Sequence, residues 1–307
     1  MTPAPRVTSG PRPGSRPGSR PGLGLVVAAV CSLVLLTGCA AGATTASDTS
    51  YADRQGPTLI GTDTSAESRV VAALYGQLLT DAGQPVRMAS TVYASPAATA
   101  QAVVAGKLGL APAYESTLLR TFPGGQILPG NMPATLSTAL PMGIVALPPA
   151  VAQRGVVLAV TRTTARRHGL RSLADLREAG GHLTLGGSAS GAPDVPTPAS
   201  LKEAYGVTLT PAGTSATADV LALRGTDPVI TRDGLVVLTD PAGVVPPEHV
   251  FPLVQAPDAG LAARKALARL NPALTTAQLA TLAAAVDSGE PPSEAARTWL
   301  RSKGLLG

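Results

Sequence analysis

The chain has 307 residues, of which 45% are hydrophobic and 14% are charged, so it can form one or two packed domains and is not a disordered polyelectrolyte. Its formal net charge is +5, but four arginines and no acidic residue precede Cys39. Without those four, 20 of the 24 Lys and Arg residues stand against 19 Asp and Glu residues, a nearly neutral balance that excludes nucleic acid as an expected partner.

The first 39 residues have the order of an export signal. Residues 1–22 are mostly Pro, Gly, Ser and Arg, and an apolar run then extends to Cys39. This run is shorter than the roughly 20 residues that usually span a membrane, so the segment 1–39 is predicted to be a signal peptide. Leu36 to Cys39 (LTGC) resembles the lipobox of bacterial lipoproteins, which implies cleavage before Cys39 and a lipid on its sulfur. The alternative is an uncleaved membrane anchor, and both interpretations place the rest of the chain outside the cytoplasm.

Residues 40–56 are small and polar, which is typical of a flexible tether. The chain contains only Cys31, inside the predicted signal, and Cys39. The folded part is therefore expected to have neither a disulfide nor a free thiol.

The next elements alternate between strand and helix. Three strands and two helices are predicted, in chain order, at 58–60, 64–81, 86–89, 95–106 and 108–111. The first helix starts with the capping-box pattern of Thr64 to Glu67, and the last of these strands leads to Tyr114. Because strands and helices alternate, we predict an α/β fold with a largely parallel sheet.

The second half of the chain continues in the same way. Apolar runs at 144–147 and 156–160 predict two strands separated by Pro148-Pro149, and a third strand leads into the loop GGSASG at 186–191. Further strands are predicted at 235–238 and 250–254. The C-terminal part is helical, with a second capping box at Thr275 to Gln278.

The sequence does not place side chains for catalysis or metal binding at the spacings that these functions require. None of the three histidines, His168, His182 and His249, stands at metal-ligand spacing from another. The loop at 186–191 lacks the Lys of a phosphate-binding loop and the central Ser of a nucleophile elbow. We therefore expect no metal, no cofactor and no enzymatic activity, although this loop could line a cleft.

Several segments in the same order resemble one family. LIGTDTSAESRVVAALYGQLLTDAG at 59–83, LAPAYESTLL at 110–119 and the stretches 168–187, 201–209 and 270–306 are similar to the osmoprotectant (glycine betaine/choline, OpuAC-like) substrate-binding proteins of ABC transporters. The resemblance implies a two-lobed type II periplasmic-binding-protein fold with a ligand cleft between the lobes. It places lobe one at 57–148 together with 243–307, and lobe two at 149–242, with crossings near 147–153 and 239–245.

The resemblance also implies a function. The chain would be the lipid-anchored, extracytoplasmic solute-binding component of an ABC importer, a monomer held at the membrane through Cys39, with a permease and its ATPase as partners. Its ligand would be a small quaternary amine or zwitterion such as glycine betaine or choline. In this family the tyrosine that matches Tyr114 helps to form an aromatic cage, because ring faces attract a cation that cannot donate hydrogen bonds.

The candidate ligand-binding residues come from this comparison and from their positions in the predicted elements. They are Asp63, Thr64, Ser65, Tyr93, Tyr114, Glu115, Ser188 and Asp233. The turn before the first helix could hold a carboxylate, Asp63 or Glu115 could face a cation, and Tyr93 or Phe251 could add a second ring. Several of them have a structural alternative: packing for Tyr114, helix capping for Thr64 together with Glu67, and solvent exposure for Tyr93, Asp63 and Glu115.

The departures from the family pattern suggest a second hypothesis. The family's YTGT motif reads YEST at 114–117, the second lobe is shortened, and its aromatic residues are nearly absent. A cage normally needs two or more rings. The chain could therefore be a lipoprotein that keeps the fold, has lost the ligand and acts through contacts with other proteins.

Overall fold

The computed structural model describes residues 56–122, 132–180 and 182–307. The predicted signal segment with Cys39, and the predicted tether up to residue 55, lie outside these ranges. Within them, no helix combines the length and the apolar character that crossing a bilayer requires.

Ten strands and ten α-helices form the described part of the chain, and strand and helix alternate mainly between residues 58 and 121. The strands are β1 (Thr58–Asp63), β2 (Val86–Tyr93), β3 (Leu110–Tyr114), β4 (Ile144–Ala146), β5 (Val156–Val160), β6 (Leu183–Gly186), β7 (Leu209–Pro211), β8 (Val220–Arg224), β9 (Val236–Val237) and β10 (Val250–Gln255). The α-helices are α1 (Ala66–Asp81), α2 (Pro96–Val104), α3 (Glu115–Thr121), α4 (Met132–Ala139), α5 (Arg162–His168), α6 (Pro198–Tyr205), α7 (Pro228–Arg232), α8 (Leu261–Ala268), α9 (Thr276–Asp287) and α10 (Pro292–Ser302). Short 3₁₀ helices occupy Leu173–Ala179 and Ala256–Asp258.

The strands form two mixed sheets of five strands each. In the first, with the order β2-β1-β3-β10-β4, β1 is parallel to β2 and β3, whereas β10 is antiparallel to β3 and β4. In the second, with the order β7-β6-β8-β5-β9, β6 is parallel to β7 and β8, whereas β5 is antiparallel to β8 and β9. The prediction of a largely parallel sheet is therefore wrong for the pairs of β5 and β10. Each of these two strands directly follows a segment that crosses from one sheet to the other, and each runs antiparallel to its neighbours in the sheet.

The first sheet is covered by helices on both faces. Along β3, Leu110 and Tyr114 belong to the core cluster that α1 and the C-terminal helices α8–α10 complete. Ala111 and Ala113 belong to the cluster on the opposite face, with α2 and α3. The alternation of side chains along the strand thus assigns each residue to one face, and it directs Tyr114 toward α1.

Two segments, 147–155 and 238–249, connect the sheets. They are joined to each other, because Gln153 and His249 form an isolated antiparallel bridge. In addition, the Arg154 amide donates a hydrogen bond to the Glu248 carbonyl oxygen at 3.2 Å. The two crossings therefore form one hydrogen-bonded ribbon between the sheets.

Glu248, on the second crossing, caps helix α3 of the first sheet. Its side chain is 1% exposed, and its carboxylate accepts hydrogen bonds from the backbone amides of Ser116 and Thr117, each at 3.1 Å. These amides belong to the first turn of α3, where no helical carbonyl oxygen is available. Burial raises the pKa of Glu248, while hydrogen bonds from Thr117 and the charge of Arg120 act in the opposite direction.

Helix α1 begins one residue later than the predicted capping box of Thr64 and Glu67. Its N-cap is Ser65, whose hydroxyl accepts a hydrogen bond from the Ser68 amide at 3.2 Å. Asp63 favours this start because its Oδ1 accepts a hydrogen bond from the Ser65 amide at 2.8 Å. The Glu67 carboxylate is thereby available for a contact outside its own helix.

The glycine-rich loop after β6 is shaped by close backbone contacts. Gly187 has a φ of +103°, and a Cβ at this position would lie 2.5 Å from the Ala222 carbonyl oxygen. A Cβ at Gly186 would lie 2.3 Å from the Ser215 carbonyl oxygen. Glycine is therefore required at both positions by the approach of neighbouring backbone.

Candidate functional site

A buried group of polar side chains lies where β1 and β3 end and the first crossing passes. Asp63 is the last residue of β1 and Tyr114 the last of β3, and the ends of parallel neighbours meet at one edge of a sheet. Arg154 reaches them from the first crossing, and its guanidinium carbon lies 4.5 Å from the centroid of the Tyr114 ring. This is the geometry of a cation–π contact.

Tyr114 is almost completely enclosed. It is 1% exposed, and its hydroxyl has no hydrogen-bond partner among the described residues. Burial raises the pKa of Tyr114 well above its usual value, and the positive charge of Arg154 offsets only part of this effect. The phenol is therefore neutral at physiological pH, and its ring can attract a cation.

Arg154 carries the positive charge of the group. Burial acts to lower its pKa, but the neighbouring Tyr114, Glu67 and Asp63 outweigh this effect and raise it, so the guanidinium is always charged. Its Nη1 is buried without a hydrogen-bond partner among the described residues. The Tyr114 hydroxyl, which also has no partner among those residues, interacts with this guanidinium, so a further acceptor would compete with it for the donor.

Two carboxylates lie near this guanidinium. Asp63 is 1% exposed, and its Oδ2 has no hydrogen-bond partner among the described residues. Glu67 accepts a hydrogen bond from the Thr226 hydroxyl at 2.7 Å. Because Thr226 follows β8 of the second sheet, this bond joins the two halves of the molecule beside the group.

The other predicted residues of the first turn take different positions. Thr64 is exposed, and Ser65 uses its hydroxyl as the N-cap of α1. The structure therefore brings Asp63, Ser65 and Tyr114 to the same edge of the first sheet, and leaves Thr64 at the surface.

No second ring joins Tyr114 among the aromatic candidates. Tyr93 is paired with Asp63 in the register of β1 and β2, but its ring packs against the core cluster on the other face of the sheet. Phe251 belongs to that same cluster. Tyr93 and Phe251 are therefore separated from Tyr114 by the sheet.

The remaining predicted residues have other partners. Glu115 is buried, and its Oε2 lies 2.7 Å from Nδ1 of His249 and accepts a hydrogen bond from the His249 amide at 3.1 Å. Ser188 donates a hydrogen bond to Asp227 at 2.8 Å. Asp233 is exposed and forms an ion pair with Arg232 at 2.7 Å. The structure does not bring these three residues to the Tyr114 ring.

Arg154 is the residue that reading the sequence missed. It is the only charged residue between Ile144 and Val160, a stretch of two apolar strands and two prolines. A single charge in such a stretch is a signal, because burying it requires a partner. Which partner it takes could not be read from this pattern.

Cavities among the described residues include four of about 300–370 Å³, and Tyr114 lines none of these four. One of about 360 Å³ lies between the halves and is lined partly by Glu67 and Thr226. Another, of about 300 Å³, is mainly apolar and lies beside Glu115 and Phe251. In the part of the chain that the structure describes, no group of three His, Cys, Asp or Glu residues could hold a metal ion.

The chain is similar to one protein family and to solved structures of two-lobed binding proteins. Residues 58–302 match the family described as the substrate binding domain of the ABC-type glycine betaine transport system. The apo structure of YehZ from Escherichia coli is similar at 20% identity and a TM-score of 0.64, over 81% of this chain and 99% of that one. A second crystal structure, of a glycine betaine/carnitine/choline ABC transporter protein, is similar at 17% identity and a TM-score of 0.70, over 82% and 99%. No curated protein sequence matches significantly. The predicted two-lobed α/β fold is confirmed.

Proposed function

Because the chain belongs to the family of substrate-binding domains of ABC-type glycine betaine transport systems, we propose that it captures a small quaternary amine or zwitterion, such as glycine betaine or choline, between its lobes. The family consists of solute-binding components of ABC importers and not of enzymes. We place lobe one at 57–148 with 243–307, and lobe two at 149–242. A monomer would deliver its ligand to a permease driven by an ATPase.

The group around Tyr114 is the observation that carries this proposal. It contains charges of both signs, and three of its buried polar atoms have no hydrogen-bond partner among the described residues: Oδ2 of Asp63, Nη1 of Arg154 and the Tyr114 hydroxyl. Such atoms are costly in a folded protein unless a ligand or water satisfies them. A zwitterion supplies a positive group for Asp63 and a negative group for Arg154. Glycine betaine is therefore a better fit than choline.

We expect at least one of glycine betaine, N,N-dimethylglycine, choline and carnitine to raise the unfolding temperature. A ligand at 100 times its Kd stabilises the folded state by about 2.7 kcal/mol, which corresponds to about 5–10 °C for a chain of this size. Differential scanning fluorimetry of the full chain in detergent measures the shift. Asp63→Ala is expected to abolish it, whereas Asp233→Ala, at an exposed acid, is expected to retain it. A shift that survives Asp63→Ala would contradict the placement of the ligand.

A second candidate function is supported by the enclosure of Tyr114. Its ring is covered by Arg154 and lines none of the four cavities, which fits a lipoprotein that keeps the fold and acts through protein contacts. In that case none of the four compounds would change the unfolding temperature at any concentration up to tens of millimolar. The fluorimetry experiment therefore separates the two functions.

We further propose that Cys39 carries the membrane anchor at the extracytoplasmic face. In cells that produce the full chain, Cys39→Ser is expected to move the protein from the detergent phase to the aqueous phase of a Triton X-114 extraction, because serine at the lipobox position has no sulfur to carry the lipid. Cys31→Ser is the matched control, since Cys31 lies in the segment that would be removed, and it is expected to stay in the detergent phase. Retention of Cys39→Ser in that phase would instead favour an uncleaved anchor.

A further inference from the structure

Arg154 occupies the place that a quaternary ammonium ligand would need. We propose, resting on the proposed function, that Arg154 determines specificity: by covering the Tyr114 ring, it makes the cleft select zwitterions whose ammonium group keeps at least one N–H. Glycine betaine and choline, whose nitrogen carries no hydrogen, are then poorer ligands than their less methylated analogues.

The Tyr114 ring has no face left for a second cation. Its exposed fraction is 1%, because the ring packs in the core cluster with α1 and is covered by Arg154 at 4.5 Å. A ligand cation over the same face would have to displace the guanidinium or lie against it, and like charges at such distances repel. The ring therefore positions Arg154 and not the ligand.

Other rings cannot replace Tyr114 in a cage. Tyr93 and Phe251 pack on the opposite face of the first sheet, and the Tyr205 hydroxyl is hydrogen-bonded to Asp240 in the second half of the molecule. A quaternary ammonium binds well where several ring faces surround it. Tyr75 on α1 belongs to the same core cluster as Tyr114, but it is itself 1% exposed, so it offers no free ring face to a cation.

The cluster nevertheless has a place for a positive group. Asp63 and Glu67 carry two negative charges, against the single positive charge of Arg154. Oδ2 of Asp63 is buried without a hydrogen-bond partner, so it gains most from a group that donates an N–H. An N-methyl group cannot donate, and it would leave this acceptor unsatisfied at a cost.

The negative end of the same ligand is held by Arg154. Its Nη1 is buried and has no partner among the described residues, and hydrogen bonds between a guanidinium and a carboxylate are among the strong ones. The lobes must part to admit the ligand, because Asp63 and Tyr114 are each only 1% exposed. Parting and closing around a ligand is the usual motion of two-lobed binding proteins.

A methylation series tests the proposal directly. Glycine, sarcosine, N,N-dimethylglycine and glycine betaine share the carboxylate and differ only in the number of N–H groups. We expect the full chain in detergent, titrated calorimetrically, to bind N,N-dimethylglycine at least about tenfold more tightly than glycine betaine, since one buried hydrogen bond to a charged group separates them. Equal or tighter binding of glycine betaine would overturn the inference and leave the proposed function intact. Failure of all four compounds to bind would overturn the inference, and failure of choline and carnitine as well would overturn the proposed function.

Arg154→Gln supplies the second measurement. With the guanidinium gone, the Tyr114 ring becomes available and the two carboxylates are unopposed, so choline binding is expected to increase at least about tenfold. Arg232→Gln, which removes an exposed arginine paired with Asp233, is expected to leave the affinity for every compound unchanged. If Arg154→Gln folds, as judged by its unfolding temperature, and gains no affinity for choline, Arg154 does not set the specificity. If it does not fold, the methylation series of the unaltered chain decides.

Discussion

Glu248→Ala is expected to destabilise the protein by about 3 kcal/mol or more. The Glu248 carboxylate accepts hydrogen bonds from the amides of Ser116 and Thr117 and from the Thr117 hydroxyl, and it forms an ion pair with Arg120 at 3.3 Å. Alanine would leave two amides of the first turn of α3 without an acceptor in a buried place, and each such group costs about 1–3 kcal/mol. It would also weaken the attachment of the second crossing to α3, which the Ser116 hydroxyl would still hold through its hydrogen bond to the Pro247 carbonyl oxygen at 2.6 Å.

Urea unfolding followed by circular dichroism measures this loss. Glu203→Ala is the matched control, because Glu203 is exposed on α6, and exposed substitutions usually change stability by no more than about 0.5 kcal/mol. Glu248→Gln is expected to be intermediate, since its amide oxygen can still accept from one of the two amides. If Glu248→Ala matched Glu203→Ala, the capping of α3 from the crossing would be disproved.

Gly187→Ala is expected to cost a comparable amount, about 3 kcal/mol. The new Cβ would lie 2.5 Å from the Ala222 carbonyl oxygen on β8, a backbone atom that cannot rotate away. In addition, a φ of +103° is a conformation that residues other than glycine adopt only with strain. Overpacking and backbone strain each cost about 1–3 kcal/mol.

The same loop contains its own control. A Cβ at Gly191 would meet no atom within 4 Å, and Gly191 does not have the positive φ of Gly187. Gly191→Ala is therefore expected to leave the urea midpoint nearly unchanged, whereas Gly187→Ala lowers it. A small effect at both positions would mean that β8 can shift to make room, and that the loop is less constrained than its contacts suggest.

Much of the fold could be predicted from local pattern. The capping box at Thr275 to Gln278 is confirmed at the start of α9, because its signal lies within four residues. The start of α1 was predicted one residue early, since the deciding contact is the hydrogen bond between the Asp63 side chain and the Ser65 amide. Strand β8, in the middle of the second sheet, was not predicted, although the turn residues Gly225 to Pro228 follow its apolar run directly, because a run of only four apolar residues fits a strand or part of a helix equally well.

The sequence predicts that Tyr114 lies at the end of a strand, but not the side chains that surround it. Tyr114 was placed at the end of β3, but the face to which it points depends on the pairing of the strands. The register of β1 with β2 shifts between Ile60 and Thr62, and Tyr93 then packs on the opposite face. Arg154 and Tyr114 are 40 positions apart in the chain. The periodicity of hydrophobic residues is a local signal, and it does not predict a contact between residues so far apart.

The position of β10 determines which of the two sheets can form first during export. All strands of the second sheet lie between residues 156 and 237, so that sheet can close while the residues after 237 are still being translocated. The first sheet cannot, because β10 lies between β3 and β4 and is the last strand to emerge. Until then β4 has no neighbour to pair with, and the edge of β3 is an exposed row of unpaired backbone groups. The half of the molecule that is started first is thus finished last, and its open edge is where folding factors outside the membrane would be needed.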